Sequence, residues 1–546
     1  MVLALLCALG LSLAAGAPVR ADSASGGGDL QVAQTLGDRE LTVTLRRVTG
    51  TPGPLHVDVL TEAGTAPGVL RLRVVPTGAS ADAAFATTGT TASDASSAAE
   101  VRLGGTPGSY SAALHVEQAG PWELVVDDGE RAARIPFVVP KQTTSPPELV
   151  VYGGFVTAGV LILVTLLVTV RVRRGGWALV PAGGALAAVA VAVTAAVLSA
   201  SLPLPPAPGE QVDPTVDNVA RPYSFIRPMS SDYSRPPASL VIDSFTAKAG
   251  ERAVAGEPGE LRLSVTDGST GLAADDLVVH DSALMHLLVV GPTGELRHVH
   301  PVRTGRGAYE VELRLPTAGH YAVSAEFARR GGGVQHVRSA VGLDVEDGGG
   351  TADGGSATRV DVAAVPPGPG TRTVEGVPVR LTAASLRAGT ASLLTARIGD
   401  TPTLQPWLGM VGHMIVVGPL PKETETAPGR GRIGAAAQDA EVWAHAHSMG
   451  GMTADGSGHG GHGGETGSDP GGLTPVNGAS IADGTVAAYG PDASFVYTFP
   501  APGRYRVWIQ AKRDNTVLTI PWLLHVTAAS GSDAGNGSGN GSGSAS

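Results

Sequence analysis

Two uncharged apolar runs, Leu149–Val170 and Trp177–Leu202, constrain this chain more than anything else in it. At ~1.5 Å of helical rise per residue, each can cross ~30 Å of hydrocarbon. Between them, residues 171–176 read Arg-Val-Arg-Arg-Gly-Gly, three arginines and no acid. The positive-inside rule puts that short loop in the cytoplasm. Spans 149–170 and 177–202 then form a transmembrane hairpin in the cell membrane, with both large flanking regions on the extracytoplasmic side. The N-terminus agrees with this. Val2–Ala17 is apolar but short, and Val19-Arg20-Ala21 places small residues where a peptidase would release a signal peptide over 1–21. Cys7 follows two leucines, which does not suit a lipid anchor.

A net charge of −11 argues against nucleic acid as a partner, since that needs a basic face. With a single cysteine there is no disulfide framework and no thiolate for a structural zinc or blue-copper site. The 76 glycines and 40 prolines supply turns rather than helices. Over 22–145, short alternating runs recur about every ten residues, as in an antiparallel β-sandwich, with an Ala/Thr/Ser-rich loop inserted at 79–97. Residues 205–237 read as a Pro-rich linker, 347–358 as a Gly/Asp linker and 529–546 as a disordered tail.

The rest is an internal repeat. Met285-His286-Leu287-Leu288-Val289-Val290-Gly291-Pro292 precedes His298-Val299-His300, and later Leu315-Pro316-Thr317-Ala318-Gly319-His320-Tyr321. The same order returns as His413-Met414-Ile415-Val416-Val417-Gly418-Pro419, His445-Ala446-His447 and Phe499-Pro500-Ala501-Pro502-Gly503-Arg504-Tyr505. Two homologous sandwiches follow: repeat A over 238–346 and repeat B over 359–528. The fold class is therefore mainly β, with three extracytoplasmic Ig-like sandwiches and a two-helix transmembrane hairpin.

Twelve of the fourteen histidines lie after residue 237. Side chains at i and i+2 share one face of a strand, ~7 Å apart. A histidine on the neighbouring strand would bring three imidazoles together. The pattern predicts one metal site from His286, His298 and His300, and a second from His413, His445 and His447. The latter is expected to be looser because of the long 420–440 insertion. Imidazole suits copper(II) and zinc(II). Secondary candidate ligands are Met285, Met414, Met449, Met452, His459 and His462. His280, His320, His336 and His525 read as structural or solvent-facing. No nucleophile elbow, phosphate loop or metalloprotease motif is present, so no enzyme is expected.

The repeat motifs resemble those of bacterial exported β-sandwich proteins found beside heavy-metal transport and copper-resistance genes. Gly108-Ser109-Tyr110 with Ala119-Gly120-Pro121-Trp122-Glu123-Leu124 is similar to the YtkA-like/FixH-like membrane-tethered sandwiches. The resemblance implies a copper-associated role for the six repeat histidines and a metal transporter or oxidase-assembly partner. The expected function is extracytoplasmic copper buffering, delivery or sensing. The alternative is an Ig-like structural or interaction module whose histidines are incidental.

Overall fold

The computed structural model describes residues 29–46, 48, 51–78, 98–139, 146–172, 175–200, 237–247, 252–329, 333–347, 365–422, 432–448 and 486–529. The expected signal peptide, 79–97 loop and tail (all but its first residue), Arg173, Arg174 and nearly all of both expected linkers lie outside these, as do Met449, Met452, His459 and His462.

The described chain is mainly β, in antiparallel sheets. The N-terminal sandwich comprises β1 (Leu30–Leu36), β2 (Arg39–Leu45), β3 (Gly53–Thr61), β4 (Gly68–Pro76), β5 (Ala98–Leu103), β6 (Ser109–Val116), β7 (Gly120–Asp127) and β8 (Ala132–Val139). Its sheets run β1-β2-β3-β6 and β5-β4-β7-β8. Alternation does the work here: in β3 the buried residues Leu55, Val57 and Val59 interleave with outward His56 and Asp58.

Helices α1 (Pro146–Arg171) and α2 (Leu179–Ala200) pack together and are long and apolar enough to cross a membrane. Only 6% and 17% of their most apolar windows are buried, unlike the core helices of a soluble protein. Gly154 lets them touch, since a Cβ there would lie 2.8 Å from the Ala192 Cβ.

Repeat A contains β9 (Ala238–Ala247), β10 (Pro258–Asp267), β11 (Leu277–Val278), β12 (His286–Val290), β13 (Leu296–Val299), β14 (Val302–Gly305), β15 (Ala308–Arg314), β16 (Gly319–Arg329), β17 (Gly333–Arg338) and β18 (Leu343–Val345). Repeat B contains β19 (Gly370–Val374), β20 (Val377–Ala383), β21 (Ala391–Ile398), β22 (Leu404–Gln405), β23 (His413–Leu420), α3 (Ile433–Gln438), β24 (Val442–His447), β25 (Asp492–Thr498), β26 (Gly503–Arg513) and β27 (Thr516–Val526). The sheet β11-β16-β12-β13 in repeat A has the order of β22-β26-β23-β24 in repeat B, and β15-β10-β9 that of β25-β21-β20, with β14 and β19 added at opposite edges. Short accessory strands raise each repeat above the seven strands of a minimal sandwich.

The two histidine-bearing sheets face each other. Leu288, Val290, Leu296 and Ala322 of repeat A pack on Ile415, Val417, Leu420 and Trp508 of repeat B, and the Trp508 indole N–H donates to the Gly294 carbonyl (3.1 Å). The 420–440 insertion serves this interface. Ile433 N–H donates to the Pro292 carbonyl, and Gly434 lies so close to the His320 carbonyl that a Cβ would sit 1.9 Å from it.

The N-terminal sandwich docks on repeat A through a continuous apolar core and a buried ion network. Glu123, 1% exposed, holds Arg134 (2.6 Å) on its own sheet and Arg303 (3.0 Å) of repeat A. Glu123→Ala would leave two guanidiniums buried with one partner fewer and should cost about 3 kcal/mol or more. Urea denaturation of the full chain in detergent measures this. A loss below about 1 kcal/mol, as for an exposed pair, would mean that the docking does not persist in solution.

Candidate metal centre

The turn Gly291–Gly294 closes with Gly294 N–H donating to the Gly291 carbonyl and Gly291 N–H donating to the Glu295 carbonyl. It sets β12 against β13 with Leu288 opposite His298 and Leu287 opposite Val299. Partners across an antiparallel pair share a face, so His286, His298 and His300 all project where Leu288 does, toward repeat B. In repeat B, His413 lies opposite His447 and Ile415 opposite His445, which gives the same arrangement aimed back at repeat A.

The six imidazoles therefore form one cluster between the repeats, where the sequence predicted two separate sites. Within each repeat the opening histidine meets the first of the pair: His286 Nδ1 to His298 Nε2 is 3.1 Å, and His413 Nδ1 to His445 Nε2 is 3.0 Å. Across the interface, His445 lies 5.1 Å from His286 and 5.0 Å from His298, ring centre to ring centre. Further contacts are reciprocal, as around a two-fold axis. His298 Nδ1 bonds Gln510 Oε1 (2.9 Å), and His445 Nδ1 bonds Glu326 Oε1 (3.2 Å). The His286 Nε2–H donates to the His280 carbonyl and the His413 Nε2–H to the Trp407 carbonyl, each at 3.1 Å.

Two groups bring three imidazole ligand atoms within 4.8 Å of one another: His286 with His298 and His445, and His413 with His445 and His447. Both use His445, so the two groups are not independent. The 420–440 insertion closes the interface that forms the cluster. His300 is 2% exposed, and neither ring nitrogen has a hydrogen-bond partner; Glu40 Oε2 stands 3.8 Å from Nδ1. Its backbone is pinned by the N-terminal sandwich, with His300 N–H donating to Thr35 Oγ1 and Thr35 N–H to the His300 carbonyl (both 2.8 Å).

The structure differs from the sequence reading in two respects. The histidine triplets, read as one site within each repeat, are closed over by the facing sheet, and His286 and His413 are fully buried. Met285 and Met414, adjacent to those histidines, point to the opposite strand face and lie in the sandwich cores. They cannot join the cluster. His280, expected to be structural or solvent-facing, holds its Nε2 2.9 Å from Asp281 Oδ2 and groups with Asp281 and Glu326 within 4.8 Å. His320 pairs with Asp344 and His525 is exposed, in line with structural or solvent-facing roles. His336 sits 3.7 Å from Glu326.

Glu326 and Gln510 were missed, although each lies seven residues past the glycine of the Pro-x-x-Gly-x-aromatic hairpin. Strand alternation from Tyr321 and Tyr505 could have placed both on the outer face.

Desolvation by burial, helped by neighbouring imidazoles, holds His286, His413 and His445 well below the ordinary histidine range. Burial brings His298 and His300 down to about 3. It also lowers His447, against the opposing pull of Asp281. Near neutral pH the cluster is thus uncharged and its nitrogens are available as ligands without proton release.

Among known families, the model of a domain of unknown function (DUF8832) matches residues 435–528, which include His445, His447 and Gln510. The resemblance to YtkA-like and FixH-like sandwiches rests on its motifs alone. No curated protein matches this chain. Solved structures similar to it include a tetra-tandem repeat from the extending region of a large adhesion protein (10% identity, 92% of this chain and 75% of that one, TM-score 0.14). Others are a Corynebacterium diphtheriae protein described as membrane anchored (7%, 89% and 92%, TM-score 0.14) and the bacterial integrin-binding protein invasin (9%, 89% and 60%, TM-score 0.14). Likeness at those scores carries no argument about function.

Folding lowers these histidine pKa values, so the unfolded chain binds more protons in acid. Stability is then full above about 6.5 and falls as pH drops through that value toward about 3. Each buried imidazole withdraws about 1.4 kcal/mol per pH unit in that window. Melting temperature followed from pH 8 to 4 should drop steeply below about 6.5. A curve that stays flat to pH 4 would mean that the imidazoles are not buried neutral.

Proposed function

We propose that this protein is a membrane-anchored, extracytoplasmic metal binder that holds copper, or alternatively zinc, among His286, His298, His300, His413, His445 and His447. In this reading it buffers, delivers or senses the ion and performs no catalysis. The observation that carries the proposal is a buried, neutral cluster of six imidazoles with two ligand-spaced triads and a His300 ring without hydrogen-bond partners. Metal–nitrogen bonds of ~2.0–2.1 Å need donor atoms no more than ~4 Å apart, a small contraction of these triads. A nitrogen-only set favours copper(II) over other first-row divalent ions, and the motif resemblance points the same way. That resemblance also supports a metal transporter or oxidase-assembly protein as partner.

A second reading, an Ig-like structural or interaction module, is favoured by the close polar contacts His286–His298, His413–His445, His298–Gln510 and His445–Glu326. In that reading the imidazoles join the repeats and hold no ion. Calorimetric copper(II) titration of the full chain separates the two. Replacing His445, common to both triads, with alanine should weaken binding by more than the roughly 10–100-fold lost when a residue that only orients a ligand is removed. Equal binding by wild type and His445→Ala, or none by either, would favour the module.

Contacts between the N-terminal sandwich and repeat A support the hairpin topology. Glu123–Arg303 and the Thr35–Pro301 bridge join residues on opposite sides of the helix pair in sequence, which supports the reading that both regions lie on one face of the membrane. Protease added to intact spheroplasts should degrade both 29–139 and 238–528. Protection of either region would overturn the topology.

A further inference from the structure

The two-fold relation between the repeats is broken at three positions, and the three broken positions meet. The carbonyl that accepts from the opening histidine belongs to His280 in repeat A and to Trp407 in repeat B, six residues upstream in each case. The next residue has positive φ in both copies, Asp281 at 48° and Leu408 at 52°. The residue opposite the opening histidine on the adjacent strand is Glu326 in repeat A and Gln510 in repeat B. Repeat A thus carries an imidazole or a carboxylate at each place where repeat B carries an uncharged indole, leucine or amide side chain. His280, Asp281 and Glu326 bring their ligand atoms within 4.8 Å of one another.

We infer that this corner is a second ion site, of mixed nitrogen and oxygen donors, for a divalent cation such as zinc(II). Two imidazoles of repeat B border it: His447 Nε2 is 3.3 Å from Asp281 Oδ2, and His445 Nδ1 is 3.2 Å from Glu326 Oε1. His445 turns its other nitrogen to His413 (3.0 Å), so one ring stands between the imidazole cluster and the carboxylate corner. Both carboxylates are buried, with side chains 4% and 8% exposed. Oxygen donors of this charge suit a divalent ion and disfavour copper(I). At the counterpart corner the Trp407 indole packs 5.2 Å from His298 and 6.2 Å from His300, occupying the space with an apolar ring. Duplication gave two corners, and only one carries ligands.

The inference extends the metal reading, and its test separates the two. The full chain in detergent is dialysed to equilibrium against zinc(II), and bound zinc per chain is measured. Wild type should hold about two ions. Asp281→Leu/Glu326→Gln, which installs what repeat B already tolerates at these places, should hold about one. Glu326→Gln alone, isosteric and so the safer fold, should show one of its two binding steps weakened about tenfold or more. Two ions in the double variant, or a single wild-type ion that both variants keep, would overturn the second site and leave the imidazole cluster standing. No zinc in wild type would overturn this site and leave the copper reading of the cluster to its own titration. A single ion lost in the double variant but kept in His286→Ala/His413→Ala would sink the cluster and retain this site.

Discussion

Everything about the centre depends on two sheets closing over polar side chains. Placing an imidazole between sheets forfeits its hydrogen bonds to water, and that cost is recovered only where each nitrogen finds another partner. Here the recovery is partial by construction. The opening histidines donate from Nε2 to a backbone carbonyl and set Nδ1 against a neighbouring imidazole. His300 is satisfied at neither nitrogen. The apolar half of the interface, led by Trp508, Ile415 and Leu288, must carry the association that the polar half does not.

That division of labour explains why the insertion before β24 is not a defect. A long loop between paired strands ordinarily costs closure entropy and loosens register. In this chain the residues before β24 form a short helix pressed on repeat A, where Gln438 donates to the Ser339 carbonyl (2.6 Å) and Trp443 donates back to Ala437 (2.9 Å). The extra residues are spent on the interface that buries the histidines. The N-terminal sandwich adds a third wall: Ala33 packs with Ala283, Trp407 and Leu408 at the junction of all three units, and Thr35 fixes the His300 backbone.

Much of this was legible in the sequence because strand periodicity and repetition are local signals. The helix pair, the sandwiches and the six histidines followed from apolar runs, alternation and the recurrence of His-x-His after a Gly-Pro turn. What could not be read was which face met what. Alternation shows that His286 and Met285 point opposite ways, but not which side is the core. The facing sheet of the other repeat buries the histidines between the repeats, while the methionines lie within each sandwich. Glu326 and Gln510 were hidden for the same reason, since a polar residue in a strand gains meaning only once the opposing sheet is known.

Reciprocal contact between duplicated sheets also bears on how such a centre could arise. A face carrying one histidine triplet, set against a second copy of itself, yields six imidazoles at once, because each residue of a two-fold interface meets its counterpart's surroundings. Symmetry then gives two equivalent corners and no preference between them. Covalent linkage of the copies in one chain frees each to change alone. Trp407 fills one corner, while His280, Asp281 and Glu326 equip the other. Oxygen donors on one side and an aromatic wall on the other turn a symmetric cluster into a directional one, which a freely associating homodimer with identical halves could not achieve.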